Sequence, residues 1–312
     1  MNDPTMAVAT PAETPAGSIY DIGYRRYEGP RLGRAHAVRS MFSYSLRSAY
    51  GIGRGTRAKI APLLLLTLAA IPAIAILAAL ALLRQFPGGE AFEEELPIRY
   101  DTYFGTITTF LILFCAAQAP ELFGRDQRHS LLALYFARAL RRTDYALARI
   151  GGLVAALLIF LLVPQAILFL GRVLLSADVL DGVAGELPAL APLLGQAALA
   201  ALLLGGLSMA VSAFTPRRAY AVAGIIALFI IPSIVAGVVV GLGSRDVGRW
   251  LVLLSPTSIL DGTNAFLFDT PLGGSFEGIA LGLPDVAYFA AAAVGIVGSI
   301  AISIRRLARL TA

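Results

Sequence analysis

The sequence predicts an all-α integral membrane protein built on six transmembrane helices. Three observations predict this fold. The 312 residues are 57% hydrophobic and only 14% charged, with a mean hydropathy of +0.76, whereas soluble domains carry about 25% charged residues. Six apolar runs have the roughly 17–25 residues that a bilayer core demands. The basic residues fall unevenly on the segments that join those runs.

The chain opens with MNDPTMAVATPAETPAGS, residues 1–18, which has no apolar centre and is rich in Pro, Thr and Ala. It is predicted to be a disordered cytoplasmic tail and not a signal peptide. Residues 19–59 form the next region. YDIGYRRYEGPRLGR is basic and aromatic, and AHAVRSMFSYSLRSAY follows it. Helical spacing places Val38, Met41, Phe42, Ser45, Leu46 and Ala49 on one side of this segment, with Arg39 and Arg47 around the other. Such an amphipathic helix suits the inner membrane surface, and GIGRGTRAKI then turns the chain into the bilayer. Residues 60–312 make up the six-span domain, with runs at 60–83, 102–119, 145–170, 191–214, 219–240 and 286–304. The second run is the shortest and carries Thr106, Thr108 and Thr109.

Charge sets the orientation. With both termini inside, 20 of the 25 Lys and Arg residues lie in cytoplasmic segments, and 13 of the 20 acids lie outside. That is the positive-inside bias, so the net charge of +5 is a topology signal. No basic cluster is interleaved with exposed aromatics, as a nucleic-acid groove requires. The lone Cys115, in the second run, is expected to be a packing residue.

The chemistry that is missing narrows the function. A phosphate-binding loop needs lysine followed by Ser or Thr, and the only lysine, Lys59, precedes Ile60. His36 and His129 belong to no HExxH motif. No catalytic residue and no metal site is expected, so the chain is not read as an enzyme. No Asp, Glu, Lys or Arg occupies the centre of a span, although ion-coupled carriers usually keep one there. Gln118, Gln165, Gln196, Ser208 and Ser212 are the interior polar groups. Gln165 and Gln196 are candidates to line a polar path, with an interhelical hydrogen bond as the favoured alternative.

Residues 121–149, ELFGRDQRHSLLALYFARALRRTDYALAR, join the second and third runs. Glu121 to Ser130 turn the chain, and a helix is predicted over 130–140 with Leu131, Leu132, Leu134, Tyr135 and Ala139 on its apolar face. Eleven helical residues extend about 16 Å, too short to span. Thr143 or Asp144 is expected to cap the third span. One reading of this helix is interfacial, with its arginines on lipid phosphates.

The stretch resembles the intracellular coupling segment of ABC type-2 exporter permeases. Asp126 and Arg128 stand at the turn, Leu131 and Leu132 at the helix start, Arg142 at the family's arginine and Tyr145 at its tyrosine. Arg149 replaces a lysine, while Ser130 and Ala139 stand where glycine and proline are common. The resemblance implies a cytoplasmic elbow helix carrying Arg39, Met41, Phe42, Leu46 and Arg47. It also implies a coupling helix that docks an ATPase through Asp126, Arg128, Leu131, Leu132, Tyr135, Arg138 and Arg142. Residues 241–285, with RWLVLLSPTSILDGTNAFLF, correspond to re-entrant helices between the fifth and sixth spans. Ser255-Pro256 is a helix start there, and Trp250 and Phe268 suit the interface. These helices either gate the outer mouth of a path or only seal the loops.

The function so implied is the transmembrane permease subunit of an ATP-driven exporter. It would act with a second permease copy, identical or similar, and with two copies of a separate ATP-binding subunit. ATP and Mg would belong to that subunit, and no cofactor to this chain. A secondary carrier or channel and a non-transporting scaffold subunit are the alternatives. The 24 Arg against one Lys fit a GC-rich bacterial genome, and hence a bacterial inner membrane. No substrate is selected by these residues. The topology predicts that, in a Cys115→Ala background, an impermeant maleimide on intact cells labels a cysteine at Ser176 and spares one at Ser130. The reverse pattern would overturn it.

Overall fold

The computed structural model describes residues 29, 32–86, 99–137, 140–272 and 282–310, and all regular structure among them is helical. The tail 1–18, most of the segment 19–31, and the acidic loop 87–98 lie outside the described residues. Helix α1 (Arg34–Ala49) precedes α2 (Thr56–Leu83) and α3 (Tyr100–Ala119). A π-helical turn, Pro120–Gly124, and the short turn Arg125–Arg128 prolong α3. Next come α4 (Leu132–Phe136), α5 (Arg142–Leu175) and α6 (Val179–Glu186). The chain finishes with α7 (Leu190–Phe214), α8 (Arg218–Gly241), α9 (Arg245–Val252), α10 (Pro256–Phe268) and α11 (Asp285–Leu310). Six segments among these are long and apolar enough to cross a membrane: Thr56–Leu83, Tyr100–Arg128, Arg142–Leu175, Val179–Phe214, Arg218–Gly241 and Asp285–Leu307. The multi-pass character predicted from hydropathy is therefore present in the fold.

Local chemistry sets the helix ends. Ser255 Oγ accepts from the Ser258 N–H at 3.3 Å, with Pro256 at the first helical position of α10, where its missing N–H costs nothing. Asp269, at φ 50°, closes the same helix in the left-handed region. The cap of α5 differs in detail from the expectation. The helix starts at Arg142, and Asp144, three residues after the cap position, accepts from the Arg141 N–H at 3.3 Å. The helix expected over 130–140 is reduced to the single turn of α4. Ser130 adopts φ 53° and breaks the chain between Arg128 and Leu132, and 138–139 lie outside the described residues.

The bundle has a buried centre and apolar flanks. In the span-length windows of α3 and of Val179–Phe214, 67% of residues are buried, against 17% for α2 and for α8 and 22% for α11. Near one end of the bundle Phe114 packs between Tyr50 and Phe160, with ring centroids 5.6 and 4.9 Å away. Small residues bring backbones together where helices cross, as the absence of a hydrophobic driving force in lipid requires. A Cβ on Gly152 of α5 would lie 2.4 Å from the Ser45 Cβ of α1, and one on Gly206 of α7 would lie 2.5 Å from the Ser299 Oγ of α11. Tyrosines add fixed donors. Tyr103 donates to the Ala69 carbonyl at 2.8 Å, tying α3 to α2, and Tyr50 donates to the Ala156 carbonyl at 2.7 Å. Burial pushes the Tyr50 phenol above its ordinary range, so it stays protonated and remains a donor.

The two ends of the bundle differ in character. One holds α1, the turn after α3 and the start of α8, with most of the described arginines, and is called here the basic end. At the other, Glu186 after α5 accepts from Tyr100 at 2.7 Å and from Arg172 at 3.2 Å. Helices α9 and α10 are bent by 91° across a short break. Gly262 of α10 lies directly on the Tyr288 ring of α11, where an added Cβ would sit 2.3 Å from a ring carbon.

Candidate functional site

At the basic end a buried ion pair joins three segments of the chain. Tyr145 and Arg149, four residues apart, share one face of α5. The π-helical turn changes the angular phase of the residues that follow it relative to α3, and Asp126 faces inward. Asp126 is 3% exposed and Arg149 1%. Arg149 Nη2 donates to Asp126 Oδ2, and the Tyr145 hydroxyl donates to the same oxygen at 2.6 Å. Arg149 Nη1 also donates to Ser45 Oγ of α1 at 3.3 Å. Ser45 in turn donates to the Met41 carbonyl at 2.7 Å.

Aromatic rings surround this cluster. The Arg149 guanidinium carbon lies 5.3 Å from the Tyr44 ring centre and 5.5 Å from that of Tyr145. Tyr145 stacks on Phe123 and Tyr135 at 5.9 and 5.6 Å and meets Phe136 edge-on at 5.8 Å. The cluster therefore ties α1, the α3 extension, α4 and α5 into one block. Surface charges brace it. Arg34 donates twice to Asp144 at 2.7 Å, and Glu121 pairs with Arg54 at 2.7 Å and Arg218 at 3.2 Å. Solvent-accessible pairs of this kind contribute about 0–1 kcal/mol each, less than the cost of breaking the buried one.

The residues named from the resemblance separate into two sets. Arg128, Leu131, Leu132, Tyr135 and Arg142 gather around α4, with Arg142 5.9 Å from the Phe136 ring. Leu132 is buried, Tyr135 is half-buried, and Arg128 and Arg142 are exposed. Asp126 points away from that surface, into the cluster, and Arg138 lies outside the described residues. On α1, Arg39 and Arg47 are exposed, Met41 is buried, Leu46 is half-buried, and Phe42 lies against Gly151. The buried stripe of α1 is Met41, Ser45, Ser48 and Ala49, and it faces α5. A groove of about 450 Å³ runs beside α4 to the ends of α7 and α11, lined in part by Gln127, Leu132, Phe136, Arg142 and Arg306.

Gln165 and Gln196 make an interhelical knot. Gln165 Nε2 donates to Gln196 Oε1 at 2.7 Å, Gln196 Nε2 donates to Asn264 Oδ1, and Asn264 Nδ2 donates to the Asp101 carbonyl at 3.4 Å. Both glutamines are buried, 2% and 3% exposed, and they bind α5, α7, α10 and α3 together. Sequence reasoning missed Asn264 and Tyr44; it placed Ser45 on one side of the amphipathic helix and Glu121 at the start of the turn, and gave neither a partner. The Tyr145–Arg149 spacing was the one local signal for the buried cluster. Among the described residues no group of three or more His, Cys, Asp or Glu is placed to hold a metal. No protein-family model matches the chain, and no curated protein matches it either.

Removing one partner of a buried ion pair leaves the other charge uncompensated, at a cost of about 3–5 kcal/mol. Arg149→Ala is therefore predicted to lower unfolding stability in detergent by about that amount. Replacing both charges, as in Asp126→Leu with Arg149→Met, recovers most of the loss because no buried charge remains. Denaturant titration followed by circular dichroism measures both variants. A single-variant loss near zero would contradict the assigned role of the pair.

Proposed function

We propose that this chain is the transmembrane permease subunit of an ATP-driven exporter of the ABC type-2 class. Two copies, or this chain with a similar one, form the path, and separate ATP-binding subunits bind beneath the basic end. The observation that carries the proposal is the mounting of α4. This short helix projects between two spans and presents Leu134, 66% exposed, with the exposed Arg128 and Arg142 beside it. Its base is fixed to α1 and α5 through the Asp126–Tyr145–Arg149 cluster. A push on α4 thus moves α1 and α5 as a rigid block, and rigid-body shifts of this kind are a common form of switching. Helix α1 then acts as the elbow, α4 as the coupling helix, and the bent pair α9–α10 as the re-entrant element.

The apolar flanks support the dimeric part of the reading. On α8, Ile231, Ile234 and Val238 are 55%, 57% and 56% exposed, and an added Cβ on Gly237 meets nothing within 4 Å. A second copy packed there would gain close helix contact. The proposed orientation places both termini and α4 in the cytoplasm of a bacterial cell, with ATP and Mg held by the partner ATPase.

The test targets α4. Contact with lipid headgroups alone makes each charge worth roughly 1 kcal/mol, whereas a wrong-sign charge in a protein interface costs roughly 2–5 kcal/mol. Arg128→Glu with Leu134→Asp, both on the exposed surface of this segment, is predicted to abolish co-purification of the partner ATPase while leaving membrane insertion intact. Full retention of that ATPase by the inserted double variant would remove the docking assignment.

A further inference from the structure

A second basic feature, separate from the buried ion pair, lies on the outer side of α1. Between the polar face of this helix, the turn that follows it and the turn after α3 there is a pocket of about 660 Å³. Four arginines line it, Arg39, Arg47, Arg54 and Arg125, together with His36, and among the described residues no carboxylate does. Arg54 is held by Glu121. Among the described residues no ion pair joins Arg39, Arg47 or Arg125 to an acid. Ser40 and Ser43 add hydroxyl donors to the same wall. Three unneutralised guanidinium groups around one concavity are matched by an anion with several acceptor oxygens, and arginine forks fit phosphate geometry.

The surroundings decide which phosphate. Ile52, 56% exposed, lines the pocket, and the chain enters α2 at Thr56. The first turns of that span carry Ile60, Leu63 and Leu64, 58%, 49% and 54% exposed. Exposed apolar side chains thus flank a cationic pocket and continue into the first turns of a helix long and apolar enough to cross a membrane, an arrangement that suits a headgroup with its acyl chain.

We infer that this pocket is a binding site for the phosphate headgroup of an anionic phospholipid, whose acyl chain follows the exposed face of α2. The site does not depend on the proposed transport function; only the leaflet it faces does. It holds α1 against the membrane surface from the side opposite α5, so that lipid and protein clamp the helix between them.

Native mass spectrometry of the full chain in detergent, titrated with phosphatidylglycerol or phosphatidylcholine, tests the assignment. The wild type is expected to retain phosphatidylglycerol in preference to phosphatidylcholine. Arg39→Gln with Arg47→Gln is expected to weaken that retention about 25-fold, from roughly fivefold per basic residue at a membrane surface. Arg39→Lys with Arg47→Lys should restore much of it. Arg305→Gln with Arg309→Gln removes the same charge at the end of α11, outside the pocket, and should change it little. Equal loss in the two glutamine pairs would mean diffuse attraction and overturn the site. Displacement of the lipid by equimolar inorganic phosphate would assign the pocket to free phosphate and overturn the lipid reading. Both arginines are exposed, and an unchanged circular dichroism spectrum identifies the folded variants.

Discussion

The geometry of the basic end depends on one carboxylate. Asp126 belongs to the extension of α3, yet its acceptors face Tyr145 and Arg149 on α5, and through Arg149 they reach Ser45 on α1. Taking two charges out of water is costly, and the cost is offset only when the geometry satisfies the remaining donors. Tyr145, donating to Asp126, and Ser45, accepting from Arg149, supply part of that satisfaction here, while the buried Arg149 Nε finds no hydrogen-bond partner among the described residues. Because the pair is buried, with Tyr44 over Arg149 and Phe123, Tyr135 and Phe136 around Tyr145, a relative shift of α1, α3 and α5 would expose or unpair a charge. Pairing therefore fixes the register of these helices in a way that apolar packing in lipid cannot, since lipid tails compete equally for apolar side chains. The surface pairs Arg34–Asp144 and Arg54–Glu121 only reinforce a frame already set.

A second polar layer fixes another level of the bundle. Gln165, Gln196 and Asn264 exchange amide hydrogen bonds between α5, α7 and α10, with neutral side chains in place of the ion pair. Between the two layers the contacts are those of small residues and aromatics, such as Gly205 of α7, where an added Cβ would meet Leu157 at 3.1 Å. Two polar knots are thus joined by apolar contacts that, among the described residues, no side-chain hydrogen bond between these helices fixes. Helices α2 and α8 lie outside both knots and keep broad apolar faces. In the proposed exporter, those faces meet lipid or the second copy, and the block around α4 receives the force of the ATPase.

Much of this fold was legible in the sequence, because hydropathy over a bilayer-length window reports a physical requirement of the solvent. The six spans, the amphipathic α1 and the Ser255-Pro256 start of α10 follow from composition, period and cap chemistry. The site was legible only in fragments. Asp126 stands 23 residues from Arg149, and nothing local announces that they meet. The π-helical turn that aims Asp126 inward and the left-handed Ser130 that shortens α4 are tertiary choices, with no composition signal of their own. Helix α1 reads from sequence as a surface helix facing lipid, but Gly152 lets α5 approach closely enough for Ser45 to take the place of a lipid contact. Asn264 escaped notice because an amide in a short broken helix is unremarkable until its partners are known.

If the Asp126–Arg149 pair makes α1, α4 and α5 one rigid block, the spacing between α1 and α4 depends on that pair. Pulsed electron resonance between spin labels at Ser40 on α1 and Ala133 on α4, in a Cys115→Ala background, measures this directly. The account predicts a single narrow distance distribution for the intact pair. It predicts a broad one when Asp126→Asn removes the charge, since the neutral amide no longer balances the buried guanidinium. An equally narrow distribution in both proteins would contradict it.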